Sequence, residues 1–194
     1  MLRNLRAAFD RAWLDAICKQ GAKLRTYSLF KTHFQAECYL SKVRIAAHRF
    51  SLSRLRMSGH FLRIETGRFQ RHSHIPASER FCKLCNTGEV EDEFHFLIRC
   101  PLYKALRENL YTAADLSCKN FLKLDEKAKF IYLLSCENDL IAKVAEFCYH
   151  AFCRRDAELI DFSKDIKLVN DNVTTRSGRI VRQPPVFKDY VMLK

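Results

Sequence analysis

Four residues near the middle of the chain, Cys82, Cys85, His95 and Cys100, follow the spacing C-x2-C-x9-H-x4-C. No other feature restricts the fold so strongly. Two cysteines two residues apart can face one ion from a tight turn, and a His and a Cys on the next segment can close a tetrahedron. Zn2+ takes thiolate and imidazole in that geometry, and a site with four protein ligands is structural, because no position is left for an activated water. The flanking segment argues the same way. Residues 76–90 hold Pro76, Gly88 and mostly polar groups, too little apolar material to fold unaided. Metal binding can supply the missing energy, about 10 kcal/mol in small finger peptides. The competing reading makes the four ordinary buried residues, and their crowding within 19 positions makes it the weaker one. His72 and His74 are nearby spare ligands, so the imidazole is the open position of the set.

The thiols also bear on location. There are nine cysteines, an odd number with irregular spacing outside Cys82–Cys100. That suits a reducing compartment better than a disulfide framework. The N-terminal stretch carries Asp10 and Asp15 and lacks the continuous apolar run of a signal peptide. No apolar run approaches the ~20 residues that span a bilayer. The expectation is an intracellular protein, in nucleus or cytoplasm, without membrane attachment.

Charge is unevenly placed. The chain has a formal net charge of +12, and residues 1–80 alone carry 16 Lys and Arg against 5 Asp and Glu. Residues 81–164 are nearly balanced, with 12 against 14. A basic half on an otherwise neutral protein points to a polyanion, most commonly nucleic acid. The bland alternative is a basic surface that only keeps the chain soluble.

Periodicity predicts a mostly α-helical protein. Residues 1–21 read as an amphipathic helix ending near Gly21, with Leu2, Leu5, Phe9, Trp13 and Ile17 at helical spacing. A second apolar pattern, from about Thr32 to Gly59, is interleaved with Arg44, Arg49, Arg54 and Arg56. Glu91 to Arg99 reads as a helix broken by Pro101, and Pro101 opens the next one, which runs to about Tyr111. A linker follows at Thr112–Asn120. Residues 112–163 then read as a C-terminal helical hairpin, with Asn138 or Asp139 as N-cap. The polar stretch 164–194 reads as a disordered basic tail. The expected architecture is a small helical domain around a zinc-knuckle-like loop, with a basic helical region plus metal module over 24–111.

Within 24–111 the residues resemble a known family. "LRMSGHFLRIETGRF" followed by "ERFCKLCNTGEVEDEFHFLIRCPLYKALR" is similar to the zinc-binding region C-terminal to the reverse transcriptase of non-LTR retrotransposons. The shared pattern combines Ser58, His60 and Leu62, "IETGR", the two cysteines, the acidic "VEDE", "HFL" and "CPLY" with a following Arg. The tail "TTRSGRIVRQPPVFKDYV" is similar to C-terminal tails of LTR-retrotransposon polyproteins. The resemblance implies a mostly helical module that binds Zn2+ through Cys82, Cys85, His95 and Cys100. It also implies handling of an element's RNA or target DNA.

The chain lacks the adjacent aspartates with which a polymerase holds two metal ions, and it has no Gly-rich phosphate loop and no G-x-S-x-G. The expectation is therefore a non-enzymatic protein that binds RNA or single-stranded DNA with low sequence specificity. The phosphate contacts are assigned to Arg44, Arg49, Arg54, Arg56, Arg63, Arg68, Arg71 and Arg80, with Phe61, Phe69 and Phe81 interleaved for stacking. Glu65 and Arg68 are expected to pair. Two alternatives stand beside this one: a helical interaction or dimerisation module that uses 121–162, and a relic without cellular function.

Overall fold

A computed structural model describes the backbone of residues 2–19, 24–69 and 75–170. It is mostly helical; among the described residues there is no β-strand, only an isolated antiparallel bridge between Phe81 and Val90. The helices are α1 (Leu2–Cys18), α2 (Tyr39–Lys42), α3 (Ala46–Arg56), α4 (Arg63–Thr66), α5 (Lys104–Ser117), α6 (Glu126–Ser135) and α7 (Leu140–Asn170). The chain divides into two units, Met1–Glu158 and Leu159–Lys194.

In the first unit one apolar core runs from Tyr39 to Ala151. The sequence boundary drawn at residues 111 and 112 therefore falls inside a shared core. Leu52 and Leu55 enter it from α3, Phe96 and Leu97 from the metal segment, Leu133 and Leu134 from α6, and Ile141, Val144 and Cys148 from α7. Helix α1 attaches differently. Ile17 is buried, while Trp13 meets Tyr27 and Phe34 edge-on and Phe9 meets Phe34.

Local chemistry explains where the helices stop. After α3 the chain makes a Schellman turn. Ser58 is left-handed at φ 51°, the Ser58 N–H donates to the Leu55 carbonyl at 3.4 Å, and the Gly59 N–H donates to the Arg54 carbonyl at 2.8 Å. Asp125 caps α6 by accepting from the Ala128 N–H at 2.8 Å. Asn138, one of the two expected caps of α7, accepts from the Leu140 N–H at 3.1 Å.

Several boundaries differ from those the sequence suggests. The segment Thr32 to Glu37 is not helical, and the chain is extended at Val43 and Ile45 between α2 and α3. Residues 112–117 continue α5 rather than forming a linker, because Ala114 is buried one turn beyond Leu110. Residues 164–170 are helical, within α7. The rest of the expected tail, 171–194, lies outside the described residues, as do Gln20 and Gly21.

Two ion-pair networks cross the core. Glu93 accepts from His60 Nε2 at 2.7 Å, from Ser58 Oγ at 2.9 Å and from Arg25, which also pairs with Glu65. Burial alone would raise the Glu93 carboxyl; the His60 bond and the Arg25 charge overcome it and bring it down to about 2. On the other side, Arg155 of α7 grips Glu91 with two bonds, at 2.7 and 3.0 Å. Glu91 and Glu93 come from the acidic run before His95, so both networks fix the segment that carries the metal-ligating side chains.

Candidate metal centre

The four residues picked out by spacing come together. Cys82 Sγ, Cys85 Sγ, a ring nitrogen of His95 and Cys100 Sγ all lie within 4.8 Å of one another. Around a zinc ion the sulfur–sulfur edges would be about 3.8 Å, so closure asks for shifts of about 1 Å at most. The four side chains are thus placed to hold one metal ion. Cys82, His95 and Cys100 are buried and Cys85 is half-exposed.

Each half of the site has a local cause. Cys82 and Cys85 sit on a short hairpin, where the Cys82 N–H donates to the Glu89 carbonyl at 2.8 Å and the Glu91 N–H to the Arg80 carbonyl at 2.9 Å. Gly88 turns the hairpin at φ +69°, a conformation that costs a side-chain-bearing residue. His95 and Cys100 sit on a π-helical turn, His95–Arg99, where an ordinary helix was expected. Successive α-helical residues step by about 100°, so positions five apart would point about 140° from each other. The wider i→i+5 turn returns them to one side. It is closed by the Cys100 N–H donating to the His95 carbonyl at 2.7 Å. Asp92 starts the turn by accepting from the His95 N–H at 2.7 Å.

The surroundings choose which ring nitrogen faces the sulfurs. His95 Nδ1 donates to Glu89 Oε2 at 2.8 Å, leaving Nε2 3.3 Å from Cys85 Sγ. Arg99 in turn binds Glu89 Oε1 at 2.9 Å and reaches Glu126 on α6. A carboxylate behind a ligating histidine fixes its tautomer and raises its basicity. Arg107 supports the other end, donating to the Leu97 carbonyl at 2.9 Å and the Cys100 carbonyl at 2.7 Å. Glu89, Arg99 and Arg107 were not singled out as site residues from sequence. The signals for them are the acidic residues ahead of His95 and an arginine seven positions after Cys100.

Without a metal, the ligating side chains share protons among themselves. The hydrogen bond to Cys100, then burial, pushes the Cys82 thiol up to about 12, and the same bond lowers the Cys100 thiol. Burial disfavours charge on His95, but its bonds to Cys82 and Glu89 raise it to about 9. A coordinated metal ion reverses this proton-sharing, since a ligating thiol is deprotonated outright. Replacing Glu89 with Ala should lower metal affinity about 10- to 100-fold, the usual cost of losing such a partner. Competition with a chromophoric chelator measures it, and an unchanged affinity would remove Glu89 from the site.

The predicted phosphate-binding arginines part company. Arg44 is exposed, and Arg49, Arg54, Arg63 and Arg68 are half-buried. Arg49 donates to the Val43 carbonyl at 2.8 Å. The expected pair forms, with Arg68 Nε 3.5 Å from Glu65. Two arginines need correction. Arg56 is buried, bonded to Glu37 at 2.7 Å and stacked over Phe30 and Tyr39. Arg80 is buried across Gly67, donating to the Ile75 and Ile64 carbonyls. Neither is placed to meet phosphate. A Cβ at residue 67 would sit 2.7 Å from the Arg80 side chain, which explains the glycine of "IETGR". Phe81 is exposed on the hairpin. Arg71, His72, His74 and the side chain of Phe69 lie outside the described residues.

Compared with family models, curated proteins and solved structures, the chain matches none. Among the described residues no helix is long and apolar enough to cross a membrane.

Proposed function

We propose that this chain is a retrotransposon-derived, non-enzymatic nucleic-acid-binding protein whose fold is stabilised by one structural Zn2+. The Cys82, Cys85, His95 and Cys100 cluster carries the reading. Three sulfurs and one imidazole suit zinc, and a set of four protein ligands suits a structural ion. The ligand is RNA or single-stranded DNA, bound with little sequence preference. Its support is the basic excess of residues 1–80. Removing the buried Arg56 and Arg80 narrows the described phosphate contacts to Arg44, Arg49, Arg54, Arg63 and Arg68.

The geometry favours this reading over an interaction module built on 121–162. The apolar residues of that region, including Leu133, Leu134, Ile141, Val144 and Phe147, are spent on the chain's own core. Leu122 and Ile160 of that region remain exposed.

Fluorescence anisotropy with labelled oligo(U), oligo(dT) and a DNA duplex tests the proposal. Single-strand affinity is expected to fall with salt, with a log–log slope of about −0.7 for each phosphate neutralised. Three to five contacts would give a slope between about −2 and −3.5. Binding that stays constant from about 50 to about 300 mM KCl would rule out phosphate recognition.

A further inference from the structure

Helix α3 and the segment after it bring three side chains together. Phe50 is 59% exposed and Phe61 is 49% exposed. The Arg54 guanidinium lies between them, 4.3 Å from the Phe61 ring centre and 5.4 Å from that of Phe50. It is anchored from behind. Arg54 Nε donates to the Gly59 carbonyl at 3.1 Å, and the guanidinium lies 5.9 Å from the Phe152 ring. Phe152 itself stacks on buried Phe96 at 4.7 Å. The cation is thus tied to the core while two rings flank it at the surface.

We propose that Phe50, Arg54 and Phe61 form a stacking platform for unpaired bases; this deepens the nucleic-acid reading above and rests on it. A single exposed phenylalanine is ordinary. Two that share one anchored guanidinium make a preorganised surface, because Phe50 and Arg54 stand on a helix and a closed Schellman turn leads from it toward Phe61. Charge chooses the occupant. Arg44 is exposed just before α3, while Arg154, two residues after Phe152, lies 3.9 Å from Glu158. Asp156 is an acid that faces Arg54. Rings around one anchored guanidinium, on the basic half of the chain, suit an anionic polymer whose bases offer π-faces, as in proteins that bind single strands without reading sequence. A guanidinium held in a plane can stack on a base and also reach a phosphate.

The test is a double variant, Phe50→Leu with Phe61→Leu, in the full zinc-loaded chain. Oligo(dT) and oligo(U) binding should weaken by about tenfold for each stack lost. Duplex binding and the salt slope should stay as in the parent, because no cation is removed. Phe50→Tyr with Phe61→Tyr should keep parental affinity, and matching far-UV circular dichroism would show that both variants fold. If the parent binds oligo(dT) and the leucine variant binds it equally well, the platform is wrong while the nucleic-acid reading stands. If the leucine variant instead loses a self-association that the parent shows by light scattering, the rings are a protein contact and the platform also fails. A parent chain that binds no nucleic acid overturns the underlying reading itself.

Discussion

A Cys82→Ser, Cys85→Ser double variant is expected to lose its metal and, with it, most of its cooperative thermal transition. Structural zinc supplies about 10 kcal/mol in small finger peptides. That is comparable with the whole stability of a typical domain, about 5–15 kcal/mol. The loss should spread beyond the hairpin. Cys82 and Cys100 belong to the same buried core as Phe96, Leu97 and Tyr103, so loosening the quartet releases packed side chains on both sides. Elemental mass spectrometry should find one zinc per parent chain and none in the variant. Circular dichroism melts should show a transition that is broad or much lower in temperature. If the freshly reduced parent purifies without zinc and the variant keeps the parent's cooperative melt, the four residues are ordinary core thiols and a core histidine.

The second large effect lies at the pair Glu91–Arg155. Both side chains are buried, and their two bonds are supplemented by the Arg63 N–H, which donates to Glu91 Oε2 at 2.8 Å. Removing one partner strands the other without water, so Arg155→Met should cost about 3–5 kcal/mol. For a chain of this size that lowers the melting midpoint by about 10 °C. Glu91→Met should cost a similar amount. The double variant should be less damaged than the sum of the two, since it leaves no orphaned charge. Strict additivity in the cycle would mean that the two side chains act separately.

These two sites also show where sequence reading succeeds. The metal quartet was legible because its chemistry is local: ligand type and spacing nearly define the site before any tertiary contact forms. Helices α1 and α3 were legible from periodicity, and the cap at Asn138 from its residue type. The arginines were not. A cation among polar neighbours reads as a surface charge, yet Arg56 finds Glu37 and Arg155 finds Glu91 across long stretches of chain. Such pairs depend on which elements meet, and residue spacing is silent about that. The π-helical turn was hidden for a related reason. "HFLIR" has the apolar pattern of an ordinary helix, and its extra width is chosen by the tertiary demand that His95 and Cys100 face one centre.

That turn sets a ruler inside the chain. An i→i+5 turn is a helix carrying one residue more than its regular pitch needs, so dropping a residue between His95 and Cys100 would leave the pair about 40° apart on one face but turn everything after Cys100 by about 100° against what precedes it. The segment can exchange side chains while its count stays fixed. Surface loops elsewhere can absorb insertions at small cost. Here the number of residues sets how α5 follows the centre, with Arg107 on the Leu97 and Cys100 carbonyls, and related chains that keep that packing should share the H-x4-C interval even where nothing between the two residues is alike.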